Sequence, residues 1–326
     1  MDSVKWGIIG CGDVTEVKSG PAFNKVPGSS LVAVMRRDAE KAKDYAARHS
    51  VPRWYTDAQQ LIDDTEVNAV YVATPPDTHA KYAIASIMAG KPVYVEKPMA
   101  RNYQECRAIL DASEKFNIPV FTAFYRRKLP SFLKVKALVD NDAIGKIRLV
   151  NIQLYQAPQP DDYKSDALPW RVIPEKAGGG YFVDLAAHQL DFLDYVFGEI
   201  TEIKAFRSNQ AGLYPAEDLV TASFLFKNGI AGSGSWCFTT SDQADTDIIE
   251  IIGEKGKIIF HTFGNTEVEL ITGKGKEIFT FVNPAHIQQP LIQTVVNAIT
   301  GKGECPSTGV SGSRTSWVMD KMLGKI

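Results

Sequence analysis

The sequence predicts an α/β protein in two parts: a doubly wound parallel sheet over the first third of the chain, then an α+β part built on a mostly antiparallel sheet. Three observations lead there. Over the first 125 or so residues, short apolar runs alternate with helical patterns, a rhythm that implies a parallel sheet covered on both faces. A glycine-rich turn, Gly10-Cys11-Gly12, stands directly between the first apolar run and a helical stretch. After Ala123 the rhythm changes to longer runs separated by tight-turn pairs.

Taken in order, the first strands are predicted at residues 4–10, 31–35, 69–73, 92–95 and 119–123, all rich in Val, Ile, Tyr and Ala. Between them AEKAKDYAARH and YQECRAILDASEKF carry helical spacing, and right-handed crossovers turn such a series into a doubly wound sheet. The second part begins with a long strand at 146–154 and an irregular Pro-, Asp- and Gly-rich stretch at 157–180, followed by a helix that contains DLAAHQLD (184–191). Strands are predicted next at 202–207, 220–226, 231–238, 248–252, 257–263, 267–271 and 277–282. Asn228-Gly229, Glu254-Lys255-Gly256 and Gly273-Lys274-Gly275 supply the turns of a meander with a helix on one face. Helices at 288–300 and 310–323 close the chain, and their packing against the first part is an open expectation. The predicted domains are 1–124 and 125–326; with no flexible linker between them, they are expected to share an interface.

Composition narrows the function. With 326 residues, 44% hydrophobic and 23% charged, the chain is long enough for about two ordinary globular domains. A net charge of -2, with Lys and Arg scattered, gives no basic field for nucleic acid or an anionic membrane surface. The four cysteines, Cys11, Cys106, Cys237 and Cys305, form no pair or Cys/His cluster, so neither a disulfide framework nor a metal site is expected. No apolar run approaches the roughly 18 residues of a membrane helix. The first strand starts almost at once, leaving no room for a signal peptide, and the cytoplasm is the expected compartment.

GIIGCGDVT (7–15) carries the nucleotide signature. It is a GxGxxG pattern with Thr15 in the last glycine position. Gly10 permits the tight turn, and Gly12 lets the backbone come close to a pyrophosphate at the following helix start, with Asp13, Val14 and Thr15 in its first turn. Its place on the first strand of a βαβ series is the context a dinucleotide-binding Rossmann fold requires. The end of the second strand bears on the choice of nucleotide. An NAD enzyme places Asp or Glu there for the ribose hydroxyls; this chain has Met35, Arg36 and Arg37. Two guanidiniums suit a 2′-phosphate, so NADP is the expected cofactor with NAD possible. The alternative is a surface pair beside Asp38, a natural helix N-cap.

Further motifs then follow in order: YVATPPDTH (71–79), GKPVYVEKP (90–98), and WR…GGG…D…H from Trp170 to His188. Together with the glycine loop they resemble the glucose–fructose oxidoreductase, inositol dehydrogenase and rhizopine-catabolism (Gfo/Idh/MocA) family over essentially the whole chain. The resemblance implies a Rossmann domain plus a C-terminal domain whose large open sheet often forms oligomer contacts, hence a homodimer or homotetramer. It also implies pyridine-nucleotide-dependent oxidation or reduction of sugars, polyols and related carbonyl compounds, with Lys97 catalytic and the Lys97–Pro98 bond often cis.

The residues support that reading where they can be read alone. Thr74-Pro75 and Glu96-Lys97-Pro98 follow parallel strands and so lie at the carboxyl edge where open α/β sheets bind ligands. Asp184 and His188 are four apart, hence on one face of a helix, opposite Phe182, Leu185, Ala186, Leu190 and Leu193. The bland alternative is a solvated polar stripe. Reduction of a carbonyl needs a positioned acid and the reverse a base. His188, with Asp184 orienting it or binding substrate hydroxyls, fits that need, and Lys97 would polarise the carbonyl or itself exchange the proton. The three glycines 178–180 are expected to let cofactor or substrate approach the backbone.

Weaker candidates are Tyr125 and Arg126, which resemble the family's aromatic-basic turn near the cofactor, and Trp170 with Arg171, expected to contact nicotinamide or substrate. Arg127 extends the basic turn. Tyr163, beside Asp161 and Asp162, lies where a substrate-selective loop would fit, and His79 is expected to support the cofactor-side loop. Asp191 is assigned to helix support rather than chemistry, and His49, His261 and His286 to ordinary surface or core roles. Two other functions stay open: a redox-assisted glycosidase that retains its nucleotide, and a sensor that uses the fold without catalysis.

Overall fold

The computed structural model describes residues 1–326. Strands β1 (Val4–Ile9), β2 (Ser29–Met35), β3 (Arg53–Tyr55), β4 (Ala69–Val72), β5 (Val93–Val95) and β6 (Val120–Thr122) form one sheet in the order β3-β2-β1-β4-β5-β6. Every pairing is parallel. All four residues of β4 and all three of β5 are buried, as expected of strands covered on both faces. Helices Ala39–Arg48 and Tyr103–Phe116 start where short polar side chains take up the first free amide groups. Asp38 accepts from Lys41 N at 3.1 Å, and Asn102 accepts from Glu105 N at 2.9 Å, the usual N-cap geometry. The strand order reverses between β2 and β4 on either side of β1, so the crevice of such a sheet opens at the end of β1.

β3 is not among the predicted strands. It has three residues, none buried, so it lacks the apolar run that marks the others.

By contact density the chain divides into Met1–Tyr125 with Pro284–Ser313, and Arg126–Asn283 with Arg314–Ile326. The C-terminal segment of the first unit is sewn to β6: Ser307 Oγ donates to Thr122 O at 2.6 Å, Thr122 N donates to Ser307 O at 3.1 Å, and Phe121 bridges Thr308. Its helix, Gln289–Ile299, buries Leu291, Ile292, Val295 and Val296.

The second unit carries β7 (Ile147–Tyr155), β8 (Ile200–Ser208), β9 (Leu219–Phe226), β10 (Ala231–Cys237), β11 (Thr246–Gly253), β12 (Gly256–Phe260), β13 (Val268–Thr272) and β14 (Gly275–Phe279). Their order is β14-β13-β12-β11-β7-β10-β9-β8. The predicted meander is corrected at the centre. β7 lies between β11 and β10, parallel to β10 and antiparallel to β11, because the long crossover from β7 to β8 holds the helix Ala187–Phe197. Phe182 on Trp236, Phe192 on Phe260 and Phe197 on Phe226 pin that segment to one face of the sheet at centroid distances of 5.2, 5.7 and 5.3 Å. The strand predicted at 257–263 also ends early, at Phe260.

Candidate active site

In the first unit three loops leave adjacent strands at one sheet edge. Gly10 N and Cys11 N donate to Met35 O at 2.9 and 3.1 Å, Ala73 N to Ile9 O at 2.9 Å, and Glu96 N to Val72 O at 2.9 Å. The ends of β2, β1, β4 and β5 are thereby tied in sequence. Gly10 has φ +95°, and a Cβ there would lie 2.7 Å from Thr74 Cγ2; only glycine lets these two loops touch. Gly12 differs. A Cβ on it would meet nothing closer than Gly10 O at 3.9 Å, so the space beside its Cα is open. That open cradle at the start of helix Asp13–Val17 fits a pyrophosphate-bearing nucleotide. Asp13 is exposed and Val14 half-buried at its rim. Thr15 fills the third glycine position from inside: it is fully buried, donates Oγ1 to Gly12 O at 2.7 Å and accepts from Tyr45 OH at 2.8 Å.

Arg36 and Arg37 are not equivalent. Arg36 Nη1 donates to Cys11 O at 3.1 Å and so braces the glycine loop, whereas Arg37 is exposed. Burial pushes the Cys11 thiol up to about 11, which leaves it protonated and unreactive at neutral pH.

The turn at Lys97 is the most heavily braced part of this edge. Its bond to Pro98 is cis. Buried Glu96 accepts from Tyr71 OH at 2.5 Å, from Gln288 Nε2 at 2.5 Å and from Lys97 N at 3.0 Å. Gln288 accepts in turn from Tyr94 OH at 3.0 Å. From the other side, the ring nitrogens of buried His79 lie 2.9 Å from Pro98 O and 2.7 Å from Thr74 O. Burial lowers the His79 pKa against the pull of those carbonyls. His79 therefore holds the Thr74-Pro75 loop and the Lys97-Pro98 turn in one register. Gln288 escapes motif reading, since it stands 192 positions from Glu96 with no pattern around it.

In the second unit the expected helix around Asp184 is corrected in form. Residues Phe182–Ala186 make a π-helical turn, and α-helix resumes at Ala187–Phe197. Asp184 and His188 thus straddle a junction of a kind that often marks functional sites. Asp184 accepts from Arg171 Nε at 3.2 Å, and the Arg171 guanidinium lies 4.5 Å over the Trp170 ring. His188 is buried, with its ring 6.0 Å from that of Phe263 at 74°. The polar side of the helix is no solvated stripe: His188 and Asp191 are 3% and 1% exposed.

Asp191 takes Arg127 in two bonds, at 2.8 and 2.6 Å, and accepts from Thr315 Oγ1 at 3.2 Å. Burial pushes its carboxyl up to about 6, opposed by Arg127. Arg127 is thus committed to a buried ion pair. Arg126 is also buried, its guanidinium 4.7 Å over Phe263.

The glycines 178–180 all have positive φ, and the close neighbours are the protein's own. A Cβ on Gly180 would lie 2.6 Å from Ala216 Cβ, and one on Gly179 2.8 Å from Leu323 Cδ1. Of the irregular segment, Tyr163 is 65% exposed and Asp161 pairs with Lys164 at 2.6 Å. Asp162 is buried, accepting from Gln159 N and Tyr181 OH at 2.7 and 2.8 Å. Tyr125 is buried at the last position of the first unit. His261 donates to Asp247 O at 2.5 Å, and His49 and His286 lie among surface polar contacts.

Residues 4–124 match the description "Oxidoreductase family, NAD-binding Rossmann fold", and residues 132–259 match "GFO/IDH/MocA C-terminal domain". The chain is an oxidoreductase with an NAD-binding domain. It belongs to the Gfo/Idh/MocA family. It is 41% identical over 323 residues to "Oxidoreductase P35" of Formosa agariphila, covering 98% of both chains. With myo-inositol 2-dehydrogenase of Thermotoga maritima it shares 28% identity over 278 residues, 82% of this chain and 78% of that one. A levoglucosan dehydrogenase in complex with NADH has the same fold, with a TM-score of 0.89 at 23% identity over 99% of this chain and 96% of that one. No helix is long and apolar enough to cross a membrane.

Proposed function

We propose that the protein is an NADP(H)-dependent oxidoreductase that interconverts a CH–OH group and a carbonyl on a sugar or polyol, with Lys97, Asp184 and His188 at the reacting centre. The observation that carries this reading is the Lys97 turn: Glu96 and His79 brace it at the same sheet edge as the open Gly12 cradle. The myo-inositol and levoglucosan dehydrogenases among its relatives support the substrate class.

The Gly10–Gly12 loop and Thr74-Pro75 would hold the nucleotide. When bound, its nicotinamide exchanges hydride with the substrate carbon. Oxidation of a CH–OH group also releases the hydroxyl proton, and we assign that proton to His188, since imidazole exchanges protons near neutrality. Lys97 donates a hydrogen bond to the substrate oxygen and stabilises the negative charge that builds there. Asp184, held by Arg171, receives a neighbouring substrate hydroxyl. In the carbonyl-reducing direction the same groups act in reverse, His188 returning the proton to oxygen. Arg37 favours the 2′-phosphate, because it is exposed whereas Arg36 already serves Cys11 O.

The test is purified enzyme with NADPH or NADH against myo-inositol, levoglucosan and ketosugars, followed at the nicotinamide absorbance. His188→Ala and Lys97→Ala should each lower kcat by about 10²-fold or more, the scale of a lost acid–base group. Arg37→Ala should raise the NADPH KM about tenfold, or about 1.4 kcal/mol, and leave the NADH KM within about twofold. Full turnover in both site variants sinks the assigned centre; a wild-type preference for NADH sinks the nucleotide assignment.

A further inference from the structure

The sheet of the second unit builds one element that none of the motifs contains. After β12 ends at Phe260, the backbone is handed to Asp247 on β11. The Asp247 carboxylate accepts from Thr262 N at 2.9 Å and from Phe263 N at 2.5 Å. Gln189, the residue after His188, donates Nε2 to Thr262 Oγ1 at 3.0 Å and accepts from the Trp236 indole at 2.7 Å. Gly264, at φ +64°, turns the chain away directly afterwards. Residues 188 and 189 therefore reach the same two-residue segment by different means, one through a ring contact with Phe263 and the other through a hydrogen bond to Thr262.

The outcome is an aromatic ring held in place yet only half-buried. One contact is His188, at 6.0 Å and 74°; another is the Arg126 guanidinium, 4.7 Å above the ring. A half-exposed Phe on a loose loop would be ordinary surface. Here a half-buried carboxylate, itself braced by two backbone amides, holds the ring beside the imidazole, and placing such a ring in advance lowers the ordering cost of binding.

We infer that Phe263 is a specificity-determining residue: its exposed part forms the apolar wall against which the C–H surface of the substrate rests next to His188. Phenylalanine has no donor or acceptor, so hydroxyl groups find no partner on it. What it can recognise is the hydrocarbon surface of a ring alcohol. Substrates with a continuous C–H surface beside the reacting carbon should be favoured over those with a hydroxyl on every carbon. The inference rests on the assignment of His188 to the reacting centre.

The experiment compares wild type, Phe263→Leu and Phe263→Tyr with NADPH or NADH, using trans-1,2-dihydrobenzene-1,2-diol, levoglucosan and myo-inositol as probe substrates. The expected result for Phe263→Leu is a substrate KM about five- to tenfold higher for the first two. Its kcat and the nucleotide KM should stay within about twofold, with no change in the pH–rate profile. The ratio of kcat/KM for the diol over that for myo-inositol should fall about tenfold, the scale of a lost hydrophobic contact in a pocket. Phe263→Tyr keeps the ring and should stay within about threefold of wild type on every probe.

An unchanged KM and ratio in Phe263→Leu overturns the inference while wild-type turnover leaves the functional reading standing. A fall in kcat with a displaced pH profile and an unchanged ratio also overturns it, because it would show mere support of His188. If Phe263→Leu fails to fold, Phe263→Ile is measured in its place: a fall of about tenfold in the diol-to-inositol ratio supports the inference, and an unchanged ratio overturns it. Wild type inactive on all alcohols, with His188→Ala binding nucleotide as wild type does, removes the functional reading and the inference with it.

Discussion

The Lys97 turn and the His188 neighbourhood are both held by several interactions, but of different kinds. The first is held by polar contacts around one buried carboxylate, Glu96 with the Tyr71 and Gln288 side chains and the Lys97 amide, and by His79 spanning two carbonyls. The second is held by side chains that converge from distant strands and helices: a π turn, an Arg127–Asp191 pair, and an aromatic loop anchored on Asp247. Gln288 apart, the first frame draws its polar contacts from residues 71–98. On the proposed assignment of His188 to the reacting centre, a frame of long-range side-chain contacts lets the substrate side change one residue at a time.

The comparison can be broken most forcefully at Asp191. Arg127 and Asp191 each have side chains only 2% exposed, and burial works against the Arg127 charge while Asp191 restores it. Asp191→Ala strands a guanidinium in the interior, which costs about 3–5 kcal/mol. The expected outcome is a loss of most of the stability margin in denaturant or thermal unfolding. The double change Arg127→Met with Asp191→Leu should recover much of it, since apolar replacements of a buried pair are often neutral. If Asp191→Ala unfolds like wild type, the second region does not depend on its long-range charge pair.

A smaller effect is expected from Gln288→Leu. It removes a donor from Glu96 and an acceptor from Tyr94, both buried, at a cost of about 1–3 kcal/mol. Its particular signature should be kinetic: kcat about tenfold lower through a slack Lys97 turn, with the substrate KM nearly unchanged. Gln288→Glu would add a like charge beside Glu96 and should be worse than Gln288→Leu. A Gln288→Leu enzyme with lower melting temperature and wild-type kcat would confine Gln288 to stability.

These positions also show where the sequence was legible. The glycine loop, Thr74-Pro75, Glu96-Lys97-Pro98 and five of the six strands of the first sheet were readable because each motif sits directly after an apolar β run, so local order implies spatial order; β3, with no buried residue, was not. The helical placement of Asp184 and His188 was readable, but not the π turn, whose wider hydrogen bonding leaves no mark in apolar spacing. Gln288 and Phe263 were hidden for a common reason. Each acts through a partner far along the chain, Glu96 for one and Asp247 for the other. Residues 257–263 read as one strand because His261, Thr262 and Phe263 keep β propensity; the strand ends at Phe260, and the Asp247 carboxylate takes the amides of Thr262 and Phe263 instead. β7 entered the centre of its sheet for a topological reason that a meander of tight turns does not reveal.

The mildest test lies on the outer side of the nucleotide region, at Glu16, one residue beyond the glycine motif. Its carboxylate accepts from Arg48 at 2.8 Å on both oxygens and lies 2.8 Å from His49 Nε2. The Arg48 hydrogen bonds lead in holding its pKa down to about 2, against some desolvation. The sign follows from the direction. The folded value lies below the ordinary carboxylate value of 4.5, so the folded state binds the proton less readily than the unfolded chain. The contribution is complete above about pH 4.5 and fades as pH falls toward 2. Because Glu16 is about one-third exposed and Arg48 nearly half exposed, solvent screening keeps the worth of this pair below about 1 kcal/mol. Glu16→Gln should therefore lower the melting temperature by no more than a few degrees at pH 7. The gap from wild type should close between pH 4.5 and 2, and shrink in 1 M salt. A gap that is independent of pH would mean that Glu16 acts on the glycine loop by packing and not by charge.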